Sequence, residues 1–144
     1  MTRLGNIRLS GDAKDRLSNL KRKTGISQWN ILCRWAFCLS LAEKSVPPKH
    51  DIVADSNVEM SWRTFSGPGN EELLIAVLKA RCLRDNLPTD NITLAQQFKL
   101  HLHRGIGYLA TTGKIKCLPD LLSLTMQHKE QQSNSGSKTR MAES

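Results

Sequence analysis

Hydrophobic and polar positions change their period twice within the first 43 residues. Ile7 and Leu9 alternate with Asn6, Arg8 and Ser10, the period-two pattern of a short strand with one apolar side. From Ser10 onward the period lengthens. Ala13, Leu17, Leu20 and Thr24 recur along one side of a helix. Ser10 supplies its N-cap, Asp12 an acid in the first turn, Lys21, Arg22 and Lys23 a basic last turn, and Gly25 a left-handed stop. A second helix is predicted from an N-cap at Ser27 through Glu43. Ile31, Trp35, Leu39 and Ala42 share one of its sides and Cys33, Phe37 and Leu41 another, so it is apolar nearly all round. Such a helix is buried on most sides. At roughly sixteen residues it is shorter than the about twenty that a bilayer requires, and Arg34 interrupts it. We therefore read it as the centre of a core that further copies of the chain help to cover, with Trp29, Ile31, Leu32, Trp35, Phe37 and Leu39 as oligomerisation residues.

From Ser45 to Gly69 the chain turns to Pro, Gly, Asp and Asn, the signals of a long connection. Within it Val58, Met60 and Trp62 alternate with Glu59, Ser61 and Arg63, a second short extended segment. Trp62 and Phe65 are expected to pack over the core. A third helix is predicted over Asn70 to Asp85, with a face of Leu73, Leu74, Val77, Ala80, Arg81 and Leu83, stopped by Leu87-Pro88. The fourth opens on Thr93-Leu94-Ala95-Gln96, the spacing of a capping box, and carries Leu94, Phe98, Leu102 and Leu109 on one side until Gly113. Gly105 and Gly107 weaken it as a helix and allow another helix to come close. A short helical piece is expected at Asp120 to Met126, and the polar tail from Gln127 is expected to be disordered. The fold class is thus mainly α: one small helical domain over residues 1–126 with a short N-terminal strand, oligomeric, and a disordered tail at 127–144.

The net charge of +8 sharpens this picture through its distribution. Residues 1–45 hold nine Lys and Arg against three Asp and Glu, a net +6, so the excess belongs to the strand and first two helices. Concentrated positive charge suits a polyanion, because each phosphate it neutralises releases condensed counterions. Arg3, Arg8, Lys14, Arg16, Lys21, Arg22 and Lys23 are the candidate DNA-binding residues, making phosphate contacts that position a duplex without reading its sequence. Catalytic signatures are lacking. Gly67-Pro68-Gly69 is a turn and not a phosphate cradle, there is no CxxC, and His101 and His103 are two apart on a helix, where one is expected packed and the other solvated, without a shared metal. Cys33, Cys38 and Cys82 fall in apolar helical patterns and read as reduced core residues, which with the lack of a signal peptide points to the cytoplasm. Cys117, outside the long helices, is the one thiol worth testing. No enzyme activity, metal or cofactor is expected.

A strand, a helix, a Thr-Gly turn and a helix, with Arg8 on the outward strand face, also make up a ribbon-helix-helix module. There two chains pair their strands into a ribbon that enters the major groove, and Asn6, Arg8 and Ser10 would meet the DNA. That alternative is a sequence-specific repressor or antitoxin. Ile7-Arg8-Leu9-Ser10, Leu20-Lys21-Arg22-Lys23-Thr24-Gly25-Ile26 and the run from Trp29 to Ser40, above all Cys33-Arg34-Trp35-Ala36-Phe37-Cys38, resemble the DndE family of bacterial DNA phosphorothioation systems. His101 to Ile106 is consistent with it. The resemblance, over about residues 7–118, implies a part in replacing a non-bridging phosphate oxygen of DNA by sulfur. It implies a DNA-binding accessory or scaffold, a tetramer preferring nicked duplex, whose partners are the PAPS-reductase-like iron-sulfur protein and the ATPase of the system. Sulfur and nucleotide chemistry belong, on that resemblance, to those partners and a cysteine desulfurase.

Overall fold

A computed structural model describes residues 4–111 of the chain. The expectations for Arg3, Gly113, Cys117, the piece at Asp120 to Met126 and the tail 127–144 lie outside the described residues. Seven elements follow in order: β1 (Asn6–Arg8), α1 (Gly11–Thr24), α2 (Trp29–Ala42), β2 (Glu59–Ser61), α3 (Trp62–Ser66), α4 (Glu71–Arg84) and α5 (Asn91–Thr111). The mainly α fold with a short N-terminal strand is as the pattern predicts.

Helix α1 follows its sequence closely. Ser10 Oγ accepts from the Ala13 amide, Gly25 takes a left-handed φ of 75°, and the buried residues are Ala13, Leu17, Leu20 and Thr24. The strand finds its partner within the chain. β1 pairs antiparallel with β2, Ile7 opposite Met60 and Arg8 opposite Glu59, so the two strands of one chain make a short ribbon between them. The pairing continues past the strands, where Leu9 N–H donates to Val58 O and the Ser56 hydroxyl to Leu9 O, stitching the long connection to the start of α1. Ser10 Oγ serves as the acceptor of the α1 cap.

Helices α2 and α5 form the centre. Gly105 lies against the backbone of Ala36, so close that a Cβ at Gly105 would stand 1.7 Å from Ala36 O. Leu32, Cys33, Ala36 and Phe37 are completely buried. Phe37, Phe65, Phe98 and Trp62 stack mostly edge to face around the α2–α5 seam, as expected for Trp62 and Phe65. Three helix starts differ from the pattern. α2 begins one residue after Gln28 with no side-chain cap, so Ser27 does not serve. α5 begins at Asn91 because Asp90 bonds both the amide and the hydroxyl of Thr93, an acid capping one turn before the predicted Thr93 cap. The five-residue α3, capped by Ser61, was not anticipated.

The face of α4 is the largest departure. Its buried side is Ile75, Leu78, Arg81 and Cys82, whereas Leu73, Val77, Ala80 and Leu83 of the predicted face point outward. Apolar residues lie on two sides of this helix, and periodicity alone cannot choose between them. Arg81 decides. It is 5% exposed and reaches the carbonyls of Leu41, Glu43, Lys44 and Ser45 at the end of α2. Arg104 of α5 bonds Ser40 and Ser45 from the other side. Two guanidinium groups thus satisfy the carbonyls that a helix leaves open at its C-terminus.

Candidate nucleic-acid interface at the corner of α1 and α2

The basic last turn of α1 meets the first turn of α2 across a short, well-tied corner. Thr24 Oγ1 donates to Leu20 O and accepts from the Ile26 amide, and the Gly25 amide donates to Lys21 O. These bonds fix where Lys21, Arg22 and Lys23 stand. Lys21 Nζ lies 4.0 Å from the centre of the Trp29 ring, a cation over an aromatic face. Arg22 bonds Asn19, and Arg22 and Lys23 are exposed. None of the three forms an ion pair among the described residues. Beside them α2 starts without a side-chain cap and without an acidic residue in its first turn. Unbonded amides and the positive end of the helix dipole favour an anion there. An uncapped helix start beside three unpaired cations is a place where a phosphate is stabilised by both amides and charge.

The other candidates are placed differently. Arg8 is exposed and bonded to Glu59 across the ribbon at 3.0 Å, and Arg16 pairs with Asp12 at 3.2 Å. Surface pairs of this kind contribute about 1 kcal/mol or less and exchange readily for a phosphate. Lys14 reaches Asn57 on the long connection. Of the residues assigned to oligomerisation, Leu32 and Phe37 lie in the chain's own core at 0% exposure and cannot form a subunit surface. Trp29, Ile31, Trp35 and Leu39 are half-buried. Trp29, moreover, belongs to the basic corner. The uncapped α2 start was legible in the sequence as a first turn, Trp29-Asn30-Ile31, free of Asp and Glu, although Ser27 concealed it by resembling a cap.

Of the two histidines, His101 is buried, as expected for one of the pair, and His103 is half-buried. His103 accepts from the Ser10 amide at 3.2 Å through Nε2 and donates to Lys99 O through Nδ1, clipping the start of α1 to α5. The Ser40 hydroxyl accepts from Arg104 and shares a 2.9 Å hydrogen bond with His101 Nδ1. Burial pushes the His101 imidazole down to about 4, with Arg81 and Arg104 adding to the shift. Its unfolded counterpart titrates near 6.5. Stability conferred by the neutral ring is therefore complete above pH 6.5 and is lost as pH falls through that value towards about 4, because the unfolded chain takes up the proton first. Thermal melts between pH 7.5 and pH 4 are expected to show the midpoint falling over this window. His101→Asn, which keeps an acceptor for the Ser40 hydroxyl, should flatten the fall, and an equally steep curve in the variant would place the proton uptake elsewhere.

Cys33 is pushed up to about 12 by burial, and burial also raises Cys38 and Cys82, which makes them poor nucleophiles at neutral pH. Cys38 is exposed, contrary to its assignment to the core. Among the described residues there is no group of three or more His, Cys, Asp or Glu placed to hold a metal, and no helix is long and apolar enough to cross a membrane.

The fold and this site define a class: a small, mainly helical protein with one short in-chain ribbon, whose concentrated surface chemistry is positive charge around an open helix start. Comparison with known families makes the class specific. The chain belongs to the DndE family, described as DNA sulphur modification protein DndE, whose model matches residues 6–117. Membership places it in DNA phosphorothioation. The structure is similar to the crystal structure of DndE from Escherichia coli B7A involved in DNA phosphorothioation modification. That likeness has 26% identity and a TM-score of 0.61, over 76% of this chain and 98% of that one. It shares its fold with a DndE G21/24K mutant structure, at 24% identity and a TM-score of 0.55, over 73% and 95% of the two chains. No curated protein sequence matches.

Proposed function

We propose that the chain is a non-catalytic, DNA-binding accessory of the phosphorothioation machinery, acting in the cytoplasm as a homo-oligomer. It holds duplex DNA without sequence preference, favours nicked duplex, and presents that DNA to the iron-sulfur and ATPase components that carry the chemistry. The observation that carries the reading is the corner of α1 and α2, where unpaired Lys21, Arg22 and Lys23 flank the uncapped start of α2. The family membership supplies the context of modification, and the resemblance of its sequence supports the tetramer and the preference for nicks. Backbone contacts at such a corner give affinity that is independent of sequence and steeply dependent on salt. In an operator-reading ribbon β1 pairs with a second copy, whereas the in-chain pairing of β1 with β2 gives less support to that reading.

The test is binding of the purified protein to intact, nicked and single-stranded DNA of unrelated sequences across a salt series. Changing Lys21, Arg22 and Lys23 together to Ala is expected to weaken binding to every sequence alike. It should also lower the slope of log affinity against log salt by up to about 0.9 per lost phosphate contact. An unchanged affinity would remove this corner from the DNA site. A dimer with strong preference for a single palindrome would replace the accessory reading with that of a repressor.

A further inference from the structure

Leu73, Ala76, Val77, Ala80 and Leu83 all lie on the solvent side of α4, and Leu73 and Leu83 are 60% and 66% exposed. At 100° per residue these positions fall within a stripe about 120° wide, the width of a face made for burial. The opposite side, Ile75, Leu78 and Cys82, is already buried in the chain's own core. No other helix carries three exposed large hydrophobic residues among the described residues, and α2 carries none. The apolar periodicity that is legible in the sequence of α4 thus belongs to the side that the chain itself leaves uncovered.

The edges of the stripe are charged in a way that selects its occupant. Glu72 stands exposed at the first turn and Arg84 exposed at the last, and neither makes an ion pair among the described residues. A second α4 laid antiparallel brings Glu72 of one copy to Arg84 of the other, twice over, and opposes the two helix dipoles. A parallel arrangement would set like charges together. Ala76 and Ala80, one turn apart near the middle, let the helices approach to the roughly 8 Å at the close end of helix packing. We propose that the outward face of α4 is a two-fold, antiparallel interface between two copies of this chain. The proposal rests on the reading that the chain self-associates and moves the contact from α2, where it was expected, to α4. A single pair of 14-residue helices is small beside a standard interface of about 1,600 Å², so the contact is expected to be concentration-dependent.

Sedimentation of the full chain over a range of concentrations tests it, with Glu72→Arg, Arg84→Glu and Ala80→Lys, all at exposed positions that the fold tolerates. Each single charge reversal turns two attractions into two repulsions and is expected to raise the dissociation constant about tenfold at low salt. Mixing Glu72→Arg with Arg84→Glu should restore association, because the unlike copies then attract at both ends. The weakening by a single reversal is what identifies the antiparallel pairing, because in a parallel pair the same change would only replace one like-charge contact by another. Ala80→Lys should dissociate the pair while leaving the helical content intact. If the wild type is oligomeric and these variants match it, α4 is not the interface and self-association stands on another surface. If the wild type is monomeric at all concentrations, both readings fall.

Discussion

Gly105→Ala is expected to lower the thermal midpoint by roughly 10 °C or more, from a destabilisation of about 3 kcal/mol. The added Cβ would lie 1.7 Å from Ala36 O, 2.3 Å from Ala36 C and 2.9 Å from Ala36 Cα. Nothing flexible is available to move, since all three atoms are α2 backbone. The helices must separate, and with them the packing of Phe37 against Phe98 and Phe65 is loosened. Helix propensity works the other way, since alanine is favoured over glycine by about 1 kcal/mol in a helix interior, but that gain is the smaller term. Gly107→Ala is the matched control. Its Cβ would meet only Arg16 Nη1, at 3.1 Å, the far end of a flexible side chain. Its midpoint is expected to stay within a few degrees of wild type or to rise. Calorimetry on both variants distinguishes steric separation from propensity, and a Gly105→Ala protein as stable as wild type would be incompatible with the close crossing of α2 and α5.

That contrast also shows what a sequence can carry. Two glycines in α5 announced a close approach, and the distinction between Gly105 and Gly107 required knowing which side of α5 meets α2. Local signals were read correctly where the energetics are local: Ser10 and Gly25 bound α1, and Val58 and Met60 alternate with Glu59 and Ser61 as β2 requires. Partner choice is not local. The strand at Ile7 could pair with a second copy or with Met60, and only the tertiary bonds from Leu9 to Ser56 and Val58 decide it. The basic corner was half legible. Lys21, Arg22 and Lys23 stood out as charge, but Trp29 was assigned to an oligomer surface because an aromatic in an apolar run gives no sign of lying beneath a lysine. In α4 the pattern was legible and its direction was not, because apolar residues lie on both sides of the helix and only the tertiary bonds of Arg81 show which side turns inward.

Arg81→Ala is expected to be at least as damaging, at about 3–5 kcal/mol. The guanidinium donates to Asp85 at 2.9 Å through Nε, to Leu41 O and Glu43 O at 2.7 Å through Nη1, and to Lys44 O and Ser45 O through Nη2. Truncation takes this donor from Leu41 O, Glu43 O and Lys44 O, while Ser45 O keeps Arg104. It also leaves Asp85, whose side chain is 5% exposed, as a buried carboxylate without its cation. A buried pair broken on one side costs far more than the pair contributes when intact, so the loss comes from what remains behind. Two further variants separate the terms. Arg81→Lys keeps the charge but has three donors on one nitrogen for five acceptors spread over a planar fork, and it should recover less than half of the loss. Arg81→Ala with Asp85→Ala removes the stranded carboxylate and should recover more than additivity allows, a coupling read from a double-mutant cycle. Additive effects would mean that Arg81 acts on the end of α2 alone. Because Arg104 then holds only Ser40 O and Ser45 O, loss of Arg81 should fray the α2 end and expose its last amides to hydrogen exchange before the domain unfolds as a whole. The corner of α1 and α2 lies at the other end of that helix. DNA affinity measured well below the lowered midpoint should therefore stay close to wild type, whereas the loss in Lys21, Arg22 and Lys23 variants should appear with only a small change in stability.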